Sequence, residues 1–156
     1  CVDGIAAAAG CQLVASCDLA FASNNSYFQT PGVNIGLFCS TPMVAISRKI
    51  SSKDMMYMLL LGEKISALEA EKIKLINKVF LKKSLKKEVL NIATKITKKS
   101  NQSIKIGKLA FYKQLDMSIE KAYEYTSKVM TKNMGYNDAK EGIKAFIEKR
   151  NPNWKN

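Results

Sequence analysis

The architecture of this chain is best predicted from one stretch near its start: Val2-Asp3-Gly4-Ile5-Ala6-Ala7-Ala8-Ala9-Gly10-Cys11-Gln12-Leu13-Val14-Ala15-Ser16-Cys17-Asp18. It predicts the end of a strand, a run of very small residues and then a helix, followed by a strand at Leu19-Ala20-Phe21-Ala22. Small residues at the start of a helix allow backbone N–H groups to come close to a ligand atom, and the helix dipole adds partial positive charge there. The stretch therefore indicates a place where a developing oxyanion could be stabilised.

Length and composition indicate one domain's worth of protein. The chain has 156 residues, of which 47% are hydrophobic, enough to fill a core. It contains no run of about twenty apolar residues, so no membrane-spanning segment is expected. It begins at Cys1 rather than at Met, and no signal peptide is recognisable.

The side chains that usually hold metals or act as nucleophiles are few. The four cysteines, Cys1, Cys11, Cys17 and Cys39, form no C-x-x-C pair, and histidine is absent. This excludes most zinc sites and every histidine-based triad, so no metal site is predicted. Three of the cysteines lie among small apolar residues, where a reduced thiol behaves as a small hydrophobic group. We expect a reducing compartment such as the cytosol or the mitochondrial matrix.

The net charge of +12 raises the question of nucleic-acid binding. Only Arg48 and Arg150 are arginines, and the rest of the basic excess is lysine. The lysines are spread over helical segments from Lys49 onward without interleaved aromatic residues. This pattern indicates a solvated surface rather than a nucleic-acid site.

The amino-acid composition of the chain changes near residue 48. Residues 1–47 are small, apolar and almost uncharged, as expected of buried strands and turns, and the rest is helical and rich in lysine. Helix caps or starts are predicted at Ser51 or Ser52, Ser66, Ser84, Ser103, Ser118 and Asn137. Residues 76–80 read as a short strand. The order of elements predicts an α/β fold followed by an all-helical segment.

Three ordered motifs carry a family resemblance. The first has Val2, Gly4, Ala6, Gly10, Leu13, Cys17 and Asp18 in register, and Pro31, Gly32 and Gly36 follow it. The second is Leu61-Gly62-Glu63-Lys64-Ile65-Ser66-Ala67, and the third is Glu141-Gly142-Ile143-Lys144-Ala145-Phe146-Ile147-Glu148-Lys149-Arg150. Together they resemble the crotonases, the enoyl-CoA hydratase/isomerase superfamily, over the whole chain.

The resemblance implies a fold built from turns of a ββα spiral followed by helices that pack in trimers. Residues 1–100 would form the later part of the spiral core, and residues 101–156 the helical trimerisation segment. Family members begin well upstream of the first motif, so we expect an N-terminal part to be missing and the isolated chain to fold poorly. A homotrimer or hexamer is expected of the full-length protein.

The resemblance also implies a site for a CoA thioester. The backbone N–H of Ala9 takes the place of one oxyanion donor, and the second donor is expected from an upstream strand. The two glutamates that hydratases use for proton transfer correspond to Gln12 and Gly32. Because an amide cannot take up a proton near neutral pH and glycine has no side chain, efficient hydratase or isomerase activity is not expected.

Other residues near this site have binding roles at most. Gly10, Gln12, Cys39 and Ser40 are predicted to contact the substrate, Ser40 is expected to cap a helix, and Asn34 fits a turn. A helix start can lower the pKa of a thiol, but Cys39 has no histidine partner. In the family, the residues corresponding to Phe146 and Lys149 come from a neighbouring subunit and contact CoA. Their spacing places both on one face of a helix.

The resemblance therefore implies a mitochondrial acyl-CoA-binding protein of fatty-acid metabolism with a degenerate catalytic site. It needs no cofactor besides the acyl-CoA thioester that it binds as ligand. Two alternatives stay open: an active enoyl-CoA hydratase that uses atypical residues, and an RNA-binding crotonase.

Overall fold

The computed structural model describes residues 1–155, which fall into two compact units. Unit 1 is Cys1–Asn91 and unit 2 begins at Ile92. The strands are β1 Ile5–Ala7, β2 Phe21–Ser23, β3 Tyr27–Gln29, β4 Ile65–Ser66 and β5 Lys78–Phe80. The helices are α1 Ala9–Ser16, α2 Ser40–Ile46, α3 Ser52–Leu61, α4 Ala67–Lys72, α5 Leu85–Thr97, α6 Asn101–Gln114, α7 Ile119–Met134 and α8 Asn137–Ile147, and a 3₁₀ helix covers Pro31–Ile35. The predicted division after residue 100 stays a prediction, and the division into units falls within α5.

Two small sheets organise unit 1. Strand β3 lies in the middle of the first sheet, parallel to β1 and antiparallel to β4, with Ala6 opposite Phe28. The second sheet pairs β2 with β5 in parallel, and Val2 adds a bridge to Ala22. The strand–helix–strand order predicted for the opening stretch is thus confirmed.

Small residues allow the helices of unit 1 to approach these strands closely. Ala6, Ala15 and Ala22 are buried in the core beside larger buried side chains such as Phe28 and Ile46. Between β1 and α1, a Cβ atom on Gly10 would lie 3.8 Å from the Cβ of Ala6, which is ordinary contact. The packing of α1 on β1 places the start of α1 directly after the strand, where the candidate site begins.

Some helix starts were predicted correctly and others were not. Ser51 and Ser66 are caps as predicted, and Ser66 forms a capping box with Glu69, in which the Ser66 N–H donates to Glu69 Oε2 at 2.8 Å. Helix α6 begins after Ser100, whose Oγ accepts the Ser103 N–H at 3.1 Å, so the prediction of Ser103 as the cap is wrong. The N-cap position of α8 is Tyr136 rather than Asn137, and no side chain caps this helix start.

Unit 2 is built from α6, α7 and α8, and its C-terminal segment folds back on α8. The Trp154 indole N–H donates to Lys98 O at 2.8 Å, and the Lys155 N–H donates to Asp138 Oδ1 at 3.1 Å. A Cβ atom on Gly142 would lie 3.3 Å from the Trp154 ring, so glycine at this position allows the indole to lie against the helix. Within the described residues, no helix is both long and apolar enough to cross a membrane.

Glu141 and Arg150 join the two ends of the third motif. The Arg150 guanidinium donates to both Glu141 carboxylate oxygens, at 2.7 and 3.1 Å, and the Asn153 N–H donates to Glu141 Oε1 at 2.7 Å. These hydrogen bonds, the Arg150 ones first, lower the pKa of Glu141 to about 2. The contacts of Glu141 with Arg150 and Asn153 are therefore stronger when Glu141 is ionised than when it is protonated.

Acid is expected to weaken this attachment. A carboxyl group whose pKa is lower in the folded than in the unfolded chain stabilises the fold above its unfolded pKa of about 4.3, and this contribution is lost as the pH falls toward its folded pKa. We therefore expect the thermal midpoint of unfolding to fall between about pH 4.5 and pH 2. Glu141→Gln and Arg150→Gln should each flatten this part of the profile, and an unchanged profile in both variants would contradict the assignment.

Candidate active site

The start of α1 has an unusual backbone geometry at Ala8. This residue has φ 47° and ψ −110°, its N–H donates to Gln29 O at 2.9 Å, and its carbonyl accepts the Gln12 N–H at 3.0 Å. A positive φ costs a residue with a Cβ atom on the order of 1–3 kcal/mol and is usual only for glycine. The turn brings Ala9 to the first position of α1, where backbone N–H groups have no partner within the helix. No side chain caps this helix start.

Ala9 is an exposed residue at the start of α1. This position agrees with the predicted role of an oxyanion donor, which stays a prediction. Gly10 follows within the first turn, and the side of it on which a Cβ atom would lie faces Ala6 of β1. A carbonyl oxygen placed here would meet backbone N–H groups and the positive end of the helix dipole.

Gln12 lies one turn into α1 and is half-buried. Its side-chain amide can donate and accept hydrogen bonds but cannot exchange a proton with a substrate near neutral pH. The first of the two predicted proton-transfer positions is therefore occupied by a group that can form hydrogen bonds but cannot transfer a proton.

Gly32, the second predicted proton-transfer position, lies within the 3₁₀ helix. Its N–H donates to Cys39 Sγ at 3.3 Å, and its carbonyl accepts the Leu37 N–H at 3.0 Å. The nearest sulfur, nitrogen and oxygen atoms, all from Leu37 and Cys39, close the space in which a side chain would start. No proton-transfer group can therefore be contributed by residue 32.

Cys39, rather than Ser40, is the N-terminal cap residue of α2, so the prediction that Ser40 caps the helix is wrong. The Ser40 hydroxyl donates to Phe38 O at 3.3 Å and is exposed, whereas Cys39 is buried. The reason is local: the backbone turns at Cys39, and Ser40 already has helical conformation as the first residue of α2.

The cysteines divide evenly between buried and exposed. Cys11 and Cys39 are buried and Cys1 and Cys17 are exposed, so the expectation of three thiols in apolar surroundings is wrong. The Cys11 thiol donates to Ala6 O at 2.8 Å and accepts the Gln29 N–H at 3.3 Å. Burial is the main cause that raises the pKa of Cys11 to about 11, which keeps this thiol protonated and unreactive.

Side chains from β3 and the following turn attach this site to the end of α3. Thr30 Oγ1 donates to Met58 O at 2.8 Å. Gln29 Nε2 and Asn34 Nδ2 both donate to Gly62 O, at 2.8 and 3.0 Å. The last carbonyls of α3 are thus satisfied by the segment that carries Gly32. Asn34 has a structural role that its sequence position, interpreted as a turn, did not reveal.

Unit 2 contains Phe146 and Lys149, the residues predicted to contact CoA. Phe146 lies on α8 with 85% of its surface exposed, which leaves it free to contact a ligand or a subunit. Lys149 does not lie on α8, because the helix ends at Ile147, so the prediction that both side chains share one helix face is wrong.

Lys149 adopts a left-handed conformation with φ 53°. Its N–H donates to Phe146 O at 3.2 Å, and the Arg150 N–H donates to Ala145 O at 3.0 Å. These two bonds form a Schellman motif, whose left-handed position is usually occupied by glycine. The motif turns the backbone at Lys149 out of the helical path.

The arrangement can bind a carbonyl group through backbone N–H groups but has no acid–base pair. Between Asp3 and Asp54 the only acidic residue is Asp18, which follows the C-terminal end of α1. No group of three or more Cys, Asp or Glu residues that could hold a metal ion occurs in the part of the chain that the structure describes.

Comparison with known proteins places these features in a family. The sequence profile of the Enoyl-CoA hydratase/isomerase family matches residues 1–156. The mitochondrial enoyl-CoA hydratase domain-containing protein 3 of Xenopus laevis is 50% identical over 153 residues, which are 98% of this chain and 52% of that protein. The human protein of the same name is 51% identical over 98% of this chain and 50% of its own length. The chain thus spans about half the length of the curated relatives it matches.

Solved structures agree with this result. The crystal structure of human enoyl-CoA hydratase domain-containing protein 3 has a TM-score of 0.94 and 50% identity, covering 97% of this chain and 60% of that chain. An enoyl-CoA hydratase of Mycobacterium smegmatis has a TM-score of 0.96 and 46% identity, covering 98% and 60%. The predicted fold class, part of the crotonase spiral followed by a helical segment, is confirmed. On sequence and structure together, the chain belongs to the enoyl-CoA hydratase/isomerase family, the crotonases.

Proposed function

We propose that this protein binds an acyl-CoA thioester in the mitochondrion, as part of fatty-acid metabolism, without efficient hydration of the acyl group. One observation carries the proposal: the two predicted proton-transfer positions are Gln12, an amide, and Gly32, where a Cβ atom would lie only 3.1 Å from atoms of Cys39 and Leu37. Hydration across a double bond needs one group that takes a proton from water and another that delivers one to carbon. Neither group is present at these positions.

The thioester is bound, in this proposal, through the Ala9 N–H, with Gly10, Gln12, Cys39 and Ser40 around the acyl group. The mitochondrial location is supported by the names of the relatives from Xenopus laevis and human. Phe146 and Lys149 contact CoA bound to a neighbouring subunit of a homotrimer or hexamer. The 85% exposure of Phe146 supports a surface available for such a contact.

Binding and hydration can be measured separately with crotonyl-CoA. We expect the protein to bind crotonyl-CoA by calorimetry while converting it no faster than buffer does, since each missing acid or base is worth about 10²–10⁴-fold in rate. Hydration well above the buffer rate, lost on Gln12→Ala, would instead support an active hydratase with atypical residues. Absence of binding to both crotonyl-CoA and free CoA would contradict the proposal altogether.

Lys149→Gly is expected to have opposite effects on stability and on CoA binding. Glycine tolerates the left-handed position of the Schellman motif, so the free energy of unfolding should rise by about 1 kcal/mol. The thermal midpoint should rise with it. Loss of the ammonium group should weaken CoA binding by about tenfold, the value of one charge-assisted hydrogen bond to a phosphate.

Lys74 provides a matched control within the same chain. It has φ 70° and closes a second Schellman motif after α4, with Leu75 N–H donating to Ala70 O at 2.9 Å. Lys74→Gly should also raise the thermal midpoint but leave the affinity for CoA unchanged. Equal affinities in the two variants would remove Lys149 from the proposed CoA contact.

A further inference from the structure

The space beside Gly32 is closed by three atoms. A Cβ atom on Gly32 would lie 3.1 Å from Cys39 Sγ, 3.1 Å from Cys39 N and 3.1 Å from Leu37 O. These distances are shorter than ordinary van der Waals contact, which begins near 3.5 Å. Glycine is therefore required here by neighbouring atoms and not by its own backbone, since its φ is not positive.

Neither side of this contact can move away easily. Both backbone groups of Gly32 are hydrogen-bonded, the N–H to Cys39 Sγ at 3.3 Å and the carbonyl to the Leu37 N–H at 3.0 Å. Cys39 is buried, and its carbonyl accepts the Met43 N–H at 3.0 Å in the first turn of α2. Ile46, at the other end of α2, is fully buried in the core of unit 1. A displacement of Cys39 would therefore disturb α2 as well.

We infer that the packing around Cys39 determines which residue position 32 can accept: the Cys39 sulfur, the Cys39 N and Leu37 O each lie 3.1 Å from the place of a Cβ atom, so a side chain on residue 32 requires these atoms to move. The absence of a carboxylate at position 32 then depends on Cys39 as well as on Gly32. Its meaning for catalysis rests on the proposed function, but the packing itself is independent of any ligand.

A double-mutant cycle on unfolding tests the packing. Gly32→Ala should raise the unfolding equilibrium constant about five- to thirtyfold, as measured by urea titration. The same substitution made in Cys39→Ala should cost clearly less, because one of the three short contacts is gone. Gly10→Ala is the matched control in the same site, since its Cβ atom would make only an ordinary contact.

Thiol reactivity gives a second readout that a general loss of stability would not mimic. In the folded Gly32→Ala variant, the displaced Cys39 sulfur should be alkylated by iodoacetamide several times faster than in the parent. Cys11 should stay protected by its hydrogen bonds with Ala6 and Gln29. The inference is overturned if Gly32→Ala is as stable as the parent, or if it costs the same with and without Cys39. Hydration of crotonyl-CoA would refute the proposed function without touching either result.

Discussion

Gly62→Ala is expected to reduce the free energy of unfolding by about 2–5 kcal/mol, the largest effect of any single substitution considered for unit 1. Gly62 ends α3 in a left-handed conformation with φ 58°, and its Cβ atom would lie 2.8 Å from Val33 Cγ2 and 3.0 Å from Asn34 Oδ1. Alanine therefore adds a steric overlap to the cost of the left-handed backbone. The overlap also moves Asn34, which bonds to the Gly62 carbonyl.

Gly36→Ala separates these two costs. Gly36 has φ 75° but open space around its Cα. Alanine there should therefore reduce the free energy of unfolding only by the cost of the left-handed backbone, about 1–2 kcal/mol. Urea titration followed by circular dichroism measures both variants. Equal losses at the two positions would mean that the contacts of Gly62 with Val33 and Asn34 contribute nothing to stability.

Asp138→Ala is expected to have the largest effect in unit 2, about 2–3 kcal/mol of stability. The carboxylate is 2% exposed, accepts the Ser100 hydroxyl at 2.5 Å and accepts the Lys155 N–H at 3.1 Å. Its removal leaves the buried Ser100 hydroxyl and the Lys155 N–H without their acceptor. Ser100 also caps α6, so the start of that helix should loosen.

The thermal midpoint of unfolding measures this prediction, with two comparisons. Asp138→Asn keeps one carbonyl oxygen as an acceptor and should lose less than alanine does. Asp116→Ala removes an exposed carboxylate from the same unit and should change the midpoint little. If Asp138→Ala behaves like Asp116→Ala, the buried carboxylate does not hold unit 2 together.

The local parts of this fold could be predicted from the sequence, because their causes are local. Small residues at Ala6 and Gly10 allow a helix to pack on a strand, and Ser66 with Glu69 forms a capping box within one turn. The cap residue of α6 could not be predicted from the local sequence. Ser100 and Ser103 are both good caps, and Ser100 is selected by its hydrogen bond to Asp138, which is distant in sequence.

The same distinction holds for the candidate site. Register with the family motif predicts that Gln12 and Gly32 stand at the two proton-transfer positions, and this assignment stays a prediction. It did not reveal that Cys39 closes the space at Gly32, because that depends on how the chain returns after the 3₁₀ helix. The position of Lys149 outside α8 was also missed, since the spacing from Phe146 fits a helix that in fact ends at Ile147.

The packing of Trp154 on Gly142 has a practical consequence. Trp154 is the only tryptophan in the chain, and its indole N–H is bonded to Lys98 O within unit 2. Its fluorescence therefore reports the environment of unit 2 alone, and a red shift of its emission would mark release of the C-terminal segment. Unit 1 contains no tryptophan, so this emission gives an intrinsic fluorescence signal for the C-terminal segment without any added label.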